Sequence, residues 1–333
     1  MGNQDTGGAV VLGGAGIVGS YLCRELADRG FEVTAVDQRE PVGFHAHLLD
    51  SPNINLRIAD ITEGDVLSSI LAETKPQALY NLIAAMQAQI NQSIRKGMQL
   101  NIDLACDVFQ AAEDHDIPRV ISTSSRAAYG PPPRTEPGVL PPLARTTDVC
   151  RPDSTYSKTK LLVEEIVAWY WRRSGGRYCG VRTATQWGLR EEFPPGMRKF
   201  SLYSSMLETA LAGDRFEAAV KAERPADVIS NLDIARALAT AATADPFSTH
   251  VYNVGTATPT YIPQMVAAME RALGWSNYQL DEETLFDEKL LPVYSYILLD
   301  LHDTIFDWGW KPQLDFAEDV SEYAKLWSGY RAS

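Results

Sequence analysis

The sequence predicts an α/β protein, a doubly wound parallel sheet with a smaller C-terminal lobe. Three observations predict it. Apolar strand-like runs alternate with helical runs through the first 185 residues, a glycine-rich turn joins the first strand to the first helix, and the alternation loosens beyond Arg190. Strands that alternate with helices run parallel, because each helix carries the chain back across a face of the sheet. Ligands of such sheets sit beyond the carboxyl ends of the strands, where strand order reverses.

The first element is Ala9–Gly19, AVVLGGAGIVG, which continues into SYLCRELADRG. It reads as a buried strand, a tight turn and a helix. Glycine is needed where the chain reverses, where backbone approaches a diphosphate, and where helix and strand pack closely. These needs single out Gly13, Gly16 and Gly19. Ile17 and Val18 then open the helix, whose unpaired N–H groups and positive dipole end suit phosphates. This is the Rossmann arrangement for a dinucleotide. The next strand, FEVTAVD, ends at Asp37. A carboxylate there accepts the ribose hydroxyls of NAD and repels the extra phosphate of NADP. Arg39 blunts that preference, and a plain strand-ending turn residue is the alternative for Asp37. NAD is the expected cofactor, ahead of NADP.

Further strand-like runs fall near Val33–Val36, Leu56–Ile58, Ala78–Ile83, Arg119–Thr123 and Tyr178–Thr185. Helical runs include Asp65–Glu73, Met98–Asp114 and Tyr156–Arg173. Functional residues should follow the strand ends. Asp60 and Ile61 follow the third strand, placed either to flank an adenine or to serve as a turn aspartate and a core isoleucine. After the fourth strand, the backbone at Leu82, Ile83 and Ala84 is expected to pass close to the cofactor. The fifth strand delivers the hydroxyl-rich VISTSSRAAYG. A proline-rich stretch, Pro131–Pro152, follows as an ordered surface loop beside the site or as a flexible linker. Residues 1–185 are read as the dinucleotide-binding domain, with 228–255 returning to it; 186–227 and 256–333 form the substrate lobe.

A net charge of −13 argues against a nucleic-acid or anionic-membrane surface. Cys23, Cys106, Cys150 and Cys179 form no CxxC pair, and the histidines form no metal-binding array. Cys23 and Cys106 fit small buried thiols on helices. No signal segment and no apolar run of about 18 residues is evident. A cytoplasmic protein with no metal is expected.

Tyr156 and Lys160, in STYSKTKLLVEEI, lie one helical turn apart and share a face. A phenol with a pKa of about 10 is a poor base at neutral pH. A nearby ammonium, together with the cationic ring of an oxidised nicotinamide, stabilises the phenolate. The alternative is an exposed helix start with a solvated lysine.

GGAGIVG, Asp37, STSSRAAYG, YSKTK, RTATQWGLR, DVISNLDIA and VYNVG occur in this order. The ordered set resembles the extended short-chain dehydrogenase/reductase family, which includes NAD-dependent epimerases and dehydratases of nucleotide sugars. The resemblance covers nearly the whole chain. It implies Tyr156 as catalytic base, Lys160 on the nicotinamide ribose, and Ser125 on the reacting oxygen. Ser124 and Thr123 would lie nearer the cofactor, with Asn101 supporting the site from its helix.

Several positions depart from the family pattern. Arg126 and Ala127 stand where some dehydratases carry an Asp-Glu pair, which argues against water elimination by that route. Thr185 stands where many sugar-nucleotide enzymes have Asn. Ala226 replaces an arginine that grips a diphosphate, with Arg224 or Lys221 as substitutes. Ser125, Arg126, Thr185 and Arg224 are the expected substrate residues.

The expected function is epimerisation of a sugar nucleotide through a transient ketone. The alternative is a dehydrogenase or ketoreductase of a non-nucleotide alcohol. A regulatory dinucleotide-binding protein without turnover is disfavoured, because serine, tyrosine and lysine occur together. The expected partner is this small-molecule substrate, with neither nucleic acid nor membrane. Apolar stripes on the two helices (Leu100, Leu104, Val108 and Ala105, Phe109, Ala112; Leu162, Ile166, Trp169 and Val163, Val167, Tyr170) exceed what one sheet face covers. They suit either deep burial or, as the resemblance implies, a four-helix homodimer contact.

Overall fold

The computed structural model describes residues 7–132, 140–190, 202–219, 226–281 and 297–332. The first part runs β1 (Gly8–Leu12), α1 (Ile17–Asp28), β2 (Glu32–Asp37), α2 (Gly43–Leu49), β3 (Ile54–Ile58), α3 (Val66–Thr74) and β4 (Ala78–Asn81). Short helices α4 (Gln87–Gln92) and α5 (Ile94–Met98) lead through a π-helical turn, Gln99–Asp103, into α6 (Leu104–Asp114). There follow β5 (Arg119–Thr123), a 3-10 turn (Arg126–Tyr129), the long α7 (Thr155–Ser174) and β6 (Tyr178–Thr183). The rest comprises β7 (Thr185–Trp187), α8 (Leu202–Ala212), β8 (Phe216–Ala219), β9 (Val228–Ser230), α9 (Asn231–Ala241) and β10 (Val251–Val254). Last come α10 (Ile262–Leu273), β11 (Tyr278–Asp281), α11 (His302–Trp308) and α12 (Phe316–Ala332).

Seven parallel strands form the central sheet in the order β10-β6-β5-β4-β1-β2-β3. From β1 the chain builds outward to β3; it then crosses to β4 and builds the other way. The crevice beyond the carboxyl ends of β1 and β4 is therefore the switch point. Alternate side chains of β1 feed two cores. Ala9 and Val11 pack into the cluster that holds Tyr21, Leu22 and Leu238. Val10 and Leu12 pack into the cluster with Leu71, Val108 and Val167. Helices thus cover both faces, as an unbroken apolar strand requires.

Local signals set the helix that matters most. Ser154 caps α7: its Oγ accepts from Ser157 N at 3.1 Å, and Ser157 Oγ accepts from Ser154 N at 3.0 Å. Both reciprocal bonds of a capping box are present. Gly175, at φ +69°, ends the helix in the left-handed conformation.

Two elements differ from the sequence pattern. The run Tyr178–Thr185 is not one strand. Ala184 N still reaches Val254 O at 2.8 Å, but Thr185 N turns to Asp227 O at 3.0 Å, and β7 pairs with β9 outside the main sheet. The helical run Met98–Asp114 is interrupted by the π turn that carries Asn101. Both predicted stripes of α6 are largely buried within the chain, whereas Leu162 and Trp169 of α7 are 44% and 47% exposed. Cys23 is buried, but Cys106 is partly exposed. The described end of the proline-rich loop is pinned rather than free: Ala144 N donates to Leu298 O at 2.7 Å, and Asp300 N to Ala144 O at 2.9 Å. Residues 133–139 of that loop, with Lys221 and Arg224, lie outside the described residues. Among the described residues no helix is long and apolar enough to cross a membrane.

Candidate active site

The turn after β1 is shaped by close backbone approach. Gly13 sits at φ +80°, and both Gly13 N and Gly14 N donate to Val36 O, at 2.8 and 3.0 Å. A Cβ on Gly19 would lie 2.1 Å from Gly13 O, and one on Gly14 would lie 2.8 Å from the Cβ of Ala35. One glycine permits the reversal and the others let α1 and β2 close on it. Gly14, which the spacing argument passed over, does the β2 packing. Gly16 is the N-cap of α1; it supplies no side-chain cap, and no acidic residue occupies the first turn. The first N–H groups of α1, at Ile17 and Val18, thus carry the helix's positive dipole end with no capping side chain, an arrangement that fits a dinucleotide diphosphate.

Asp37 closes β2, and its Oδ1 accepts from Arg39 N at 3.2 Å. Asp60 follows β3 and accepts from Thr62 N at 2.9 Å and Thr62 Oγ1 at 2.6 Å, bonds that hold its carboxyl below the usual range. Ile61 is buried and Asp60 exposed. Leu82 N donates to Leu12 O at 3.0 Å, and the partly exposed Leu82, Ile83 and Ala84 run across the switch point.

Asn101 is 4% exposed and bonded throughout. Its Oδ1 accepts from Ala85 N at 2.6 Å, while Nδ2 donates to Ala85 O at 3.1 Å and to Thr159 Oγ1 at 2.9 Å. It thus ties the segment after β4 to α7 rather than presenting its amide to the crevice. Gln87 adds a second tie, its Oε1 accepting from Tyr156 N at 3.0 Å. Nothing in the sequence pattern singled out Gln87.

Helix α7 brings Tyr156 and Lys160 to the end of β5. Ser125 Oγ accepts from Ala127 N at 3.2 Å and lies close enough to Tyr156 to ease ionisation of the phenol. Lys160 Nζ donates to Thr123 O at 2.8 Å and stands 5.8 Å from the centroid of the Tyr156 ring. The chain's own groups do not by themselves acidify the phenol. Burial raises the phenol's pKa, and the Ser125 hydroxyl only partly opposes it. Burial also lowers Lys160 to about 8, opposed by the charge of Glu164. With its ammonium turned to a carbonyl, Lys160 is no dominant influence on the phenol. Of the chain's own groups, desolvation is the stronger effect.

Behind these groups lies a buried network that the sequence analysis missed. Arg182, at the end of β6, meets Glu164 of α7 with Nε at 2.9 Å and Nη2 at 2.6 Å. Ser124 Oγ donates to the same carboxylate. The Arg182 guanidinium lies 4.4 Å from the Tyr129 ring centroid, and Tyr129 OH donates to Asn253 Oδ1 at 2.9 Å. The available signal was a glutamate four residues beyond Lys160 on the buried side of an amphipathic helix.

Of the expected substrate residues, Arg126 and Thr185 lie beside Asp227 at the start of β9. Arg126 follows Ser125 directly and faces Asp227 and Tyr203; burial lowers its pKa. Asp227 is 1% exposed and accepts from Thr256 N at 2.7 Å, Thr256 Oγ1 at 2.9 Å and Leu299 N at 3.0 Å. Its backbone carbonyl receives Thr185 N, so Thr185 and Arg126 border the same junction. Ala226 exchanges backbone bonds with Thr260, at 3.0 and 2.8 Å. No metal-holding cluster of His, Cys, Asp or Glu occurs among the described residues.

Comparison with known proteins agrees with this fold. The family model for the NAD-dependent epimerase/dehydratase family matches residues 9–255, from β1 to the turn after β10. The chain belongs to that family. Members similar to it include a UDP-glucose 4-epimerase of Lactobacillus helveticus, 26% identical over 62% of this chain and 60% of that protein. A D-erythronate dehydrogenase of Cupriavidus necator is 26% identical over 66% of this chain and 67% of that protein. The chain thus spans about two thirds or less of these relatives' lengths. An L-threonine dehydrogenase structure from Clostridium difficile has a TM-score of 0.79 at 17% identity, covering 97% of this chain and 98% of that one. At that identity the likeness concerns the fold. This NAD-dependent epimerase/dehydratase family member therefore has relatives named as an epimerase and as a dehydrogenase.

Proposed function

We propose that the protein binds NAD at Gly13–Gly19 and epimerises a sugar nucleotide, oxidising a secondary hydroxyl to a transient ketone and re-reducing it. The observation that carries this reading is the gathering of Ser125, Tyr156 and Lys160 at the carboxyl end of β5, the same end of the parallel sheet as the glycine turn that follows β1. NAD, when bound, accepts and returns the hydride. Asp37 would hold the adenosine ribose and favour NAD over NADP, with Asp60 and Ile61 flanking the adenine. The backbone at Leu82–Ala84 would face the dinucleotide, kept in place by Asn101. Ser125 orients the reacting oxygen and Tyr156 takes its proton. The phenol is a weak acid among this chain's own groups, so it needs the added positive charge of the oxidised cofactor to act as base. Lys160 steadies the nicotinamide ribose, and Arg126 and Thr185 contact substrate.

The reading is tested by incubating the protein and NAD with UDP-sugars and following the C4 epimer ratio together with absorbance at 340 nm. Approach to equilibrium without net NADH supports it. A second reading, a dehydrogenase or ketoreductase of a non-nucleotide alcohol, is favoured by Ala226, whose methyl replaces a diphosphate-gripping group. Net NADH from such alcohols, with UDP-sugars inert, would establish that reading instead. The outward face formed by Leu162 and Trp169 suits a homodimer contact.

A further inference from the structure

We infer that Glu164, held by Ser124 and Arg182, is a positioning residue that fixes the Thr123–Ser125 strand end against the Tyr156–Lys160 helix and supports the ammonium of Lys160. The inference rests on the reading of Lys160 as a hand-hold for the dinucleotide. Successive residues of an extended segment point to opposite sides. Thr123 offers its carbonyl to Lys160, Ser124 turns its hydroxyl into the protein toward Glu164, and Ser125 lies close to Tyr156. The middle residue is thus bolted from behind while its neighbours serve the site. Glu164 sits one turn beyond Lys160 on α7, and the two share a buried face at 1% and 4% exposure. Arg182 joins β6 to the same carboxylate through two parallel bonds, the arrangement that best fixes carboxylate orientation. Three elements that carry or border the site are thereby held in register by one side chain.

The carboxylate also acts by charge. Lys160 is buried with one carbonyl partner, and its pKa has fallen to about 8. The other ionisable groups facing Glu164 are Arg182 from β6, Cys150 from the β5–α7 connection and His250 ahead of β10, while Tyr129 faces Arg182. Neutralising Glu164 removes the anion nearest Lys160 and leaves the Arg182 cation uncompensated. Both changes push the lysine toward its neutral form at lower pH.

The test is NADH binding by fluorescence between pH 6.5 and 9.5, on wild type, Glu164→Gln, Ser124→Ala and the exposed neighbour control Glu165→Gln. Wild type should lose affinity as pH rises through about 8; in Glu164→Gln the midpoint should fall by about one unit. Glu165→Gln should match wild type. Ser124→Ala should weaken NADH about 3- to 10-fold at pH 7 with an unmoved midpoint, since it loosens the strand end without removing charge. A folded Glu164→Gln protein with the wild-type midpoint overturns the inference. If that variant does not fold, Ser124→Ala decides: unchanged NADH affinity overturns it. Failure of wild type to bind NADH at any pH would instead overturn the proposed function.

Discussion

Gly19→Ala isolates the demand that the first turn makes on its sequence. The new methyl would sit 2.1 Å from Gly13 O and 2.9 Å from both Gly13 C and Gly14 Cα. These separations lie roughly 0.6 Å or more inside the optimum for non-bonded atoms, about 3.5 Å between carbons. All three are backbone atoms, so no side chain can swing aside. Relief requires α1 to move away from the β1 turn, whose Gly13 and Gly14 amides are both tied to Val36 O. The overlap should destabilise the fold by about 3 kcal/mol, the upper end for overpacking. For a chain of this size that lowers Tm by roughly 4 °C. The displaced turn should also weaken NADH at least about tenfold, or ~1.4 kcal/mol. Gly16→Ala provides the contrast, since its Cβ would lie 3.0 Å from the same oxygen at an ordinary φ of −74°. It should cost less than about 1 kcal/mol of stability. Differential scanning fluorimetry and NADH titration measure both effects. A Gly19→Ala protein with wild-type Tm and NADH affinity would refute the reasoning.

Further outcomes follow from the same geometry. Tyr156→Phe should lower turnover by at least about 10²-fold while NADH affinity stays within a few-fold, because the phenol moves a proton and does not hold the dinucleotide; stopped assays and NADH titration check both halves. Asp319 is buried beside Arg236 at 3.5 Å, and burial raises it from 3.8 to about 7. The folded chain then binds a proton there that the unfolded chain releases, so this contribution is full below about pH 4 and is lost as pH rises through 7. Asp319→Asn should gain stability relative to wild type across that window, by at most about 1.4 kcal/mol per pH unit in urea titrations. The double substitution Leu162→Glu/Trp169→Glu should halve the mass seen by sedimentation; an unchanged dimer, or a wild-type monomer, would rule out this face as the interface.

What was legible in the sequence was whatever follows from local backbone demands or helical spacing. Gly13, Gly16 and Gly19 announce a turn whose demands are local, a positive φ at Gly13 and close approach to the Gly13 backbone at Gly16 and Gly19, and Tyr156 and Lys160 share a face by arithmetic alone. The strand order was legible only as a class. The break after Thr183 was not, because Thr185 leaves the sheet to meet Asp227, more than forty residues away. Asn101 drew notice, but its role depends on Ala85 and Thr159, which only the fold brings to it. Ser124, Glu164 and Arg182 come from three separate elements, and no spacing rule links them. How small a share of the phenol's acidification Lys160 supplies was illegible for a related reason: its proximity was foreseeable, whereas its burial and its carbonyl partner were not.

The most direct measurement is a crystal structure of the protein with NAD. The account predicts the diphosphate against the N–H groups at Gly16–Val18, Lys160 bonded to the nicotinamide ribose, and the Tyr156 oxygen beside the hydride-carrying carbon. A dinucleotide seated away from the glycine turn, or a Tyr156 oxygen out of reach of the nicotinamide ring, would contradict it.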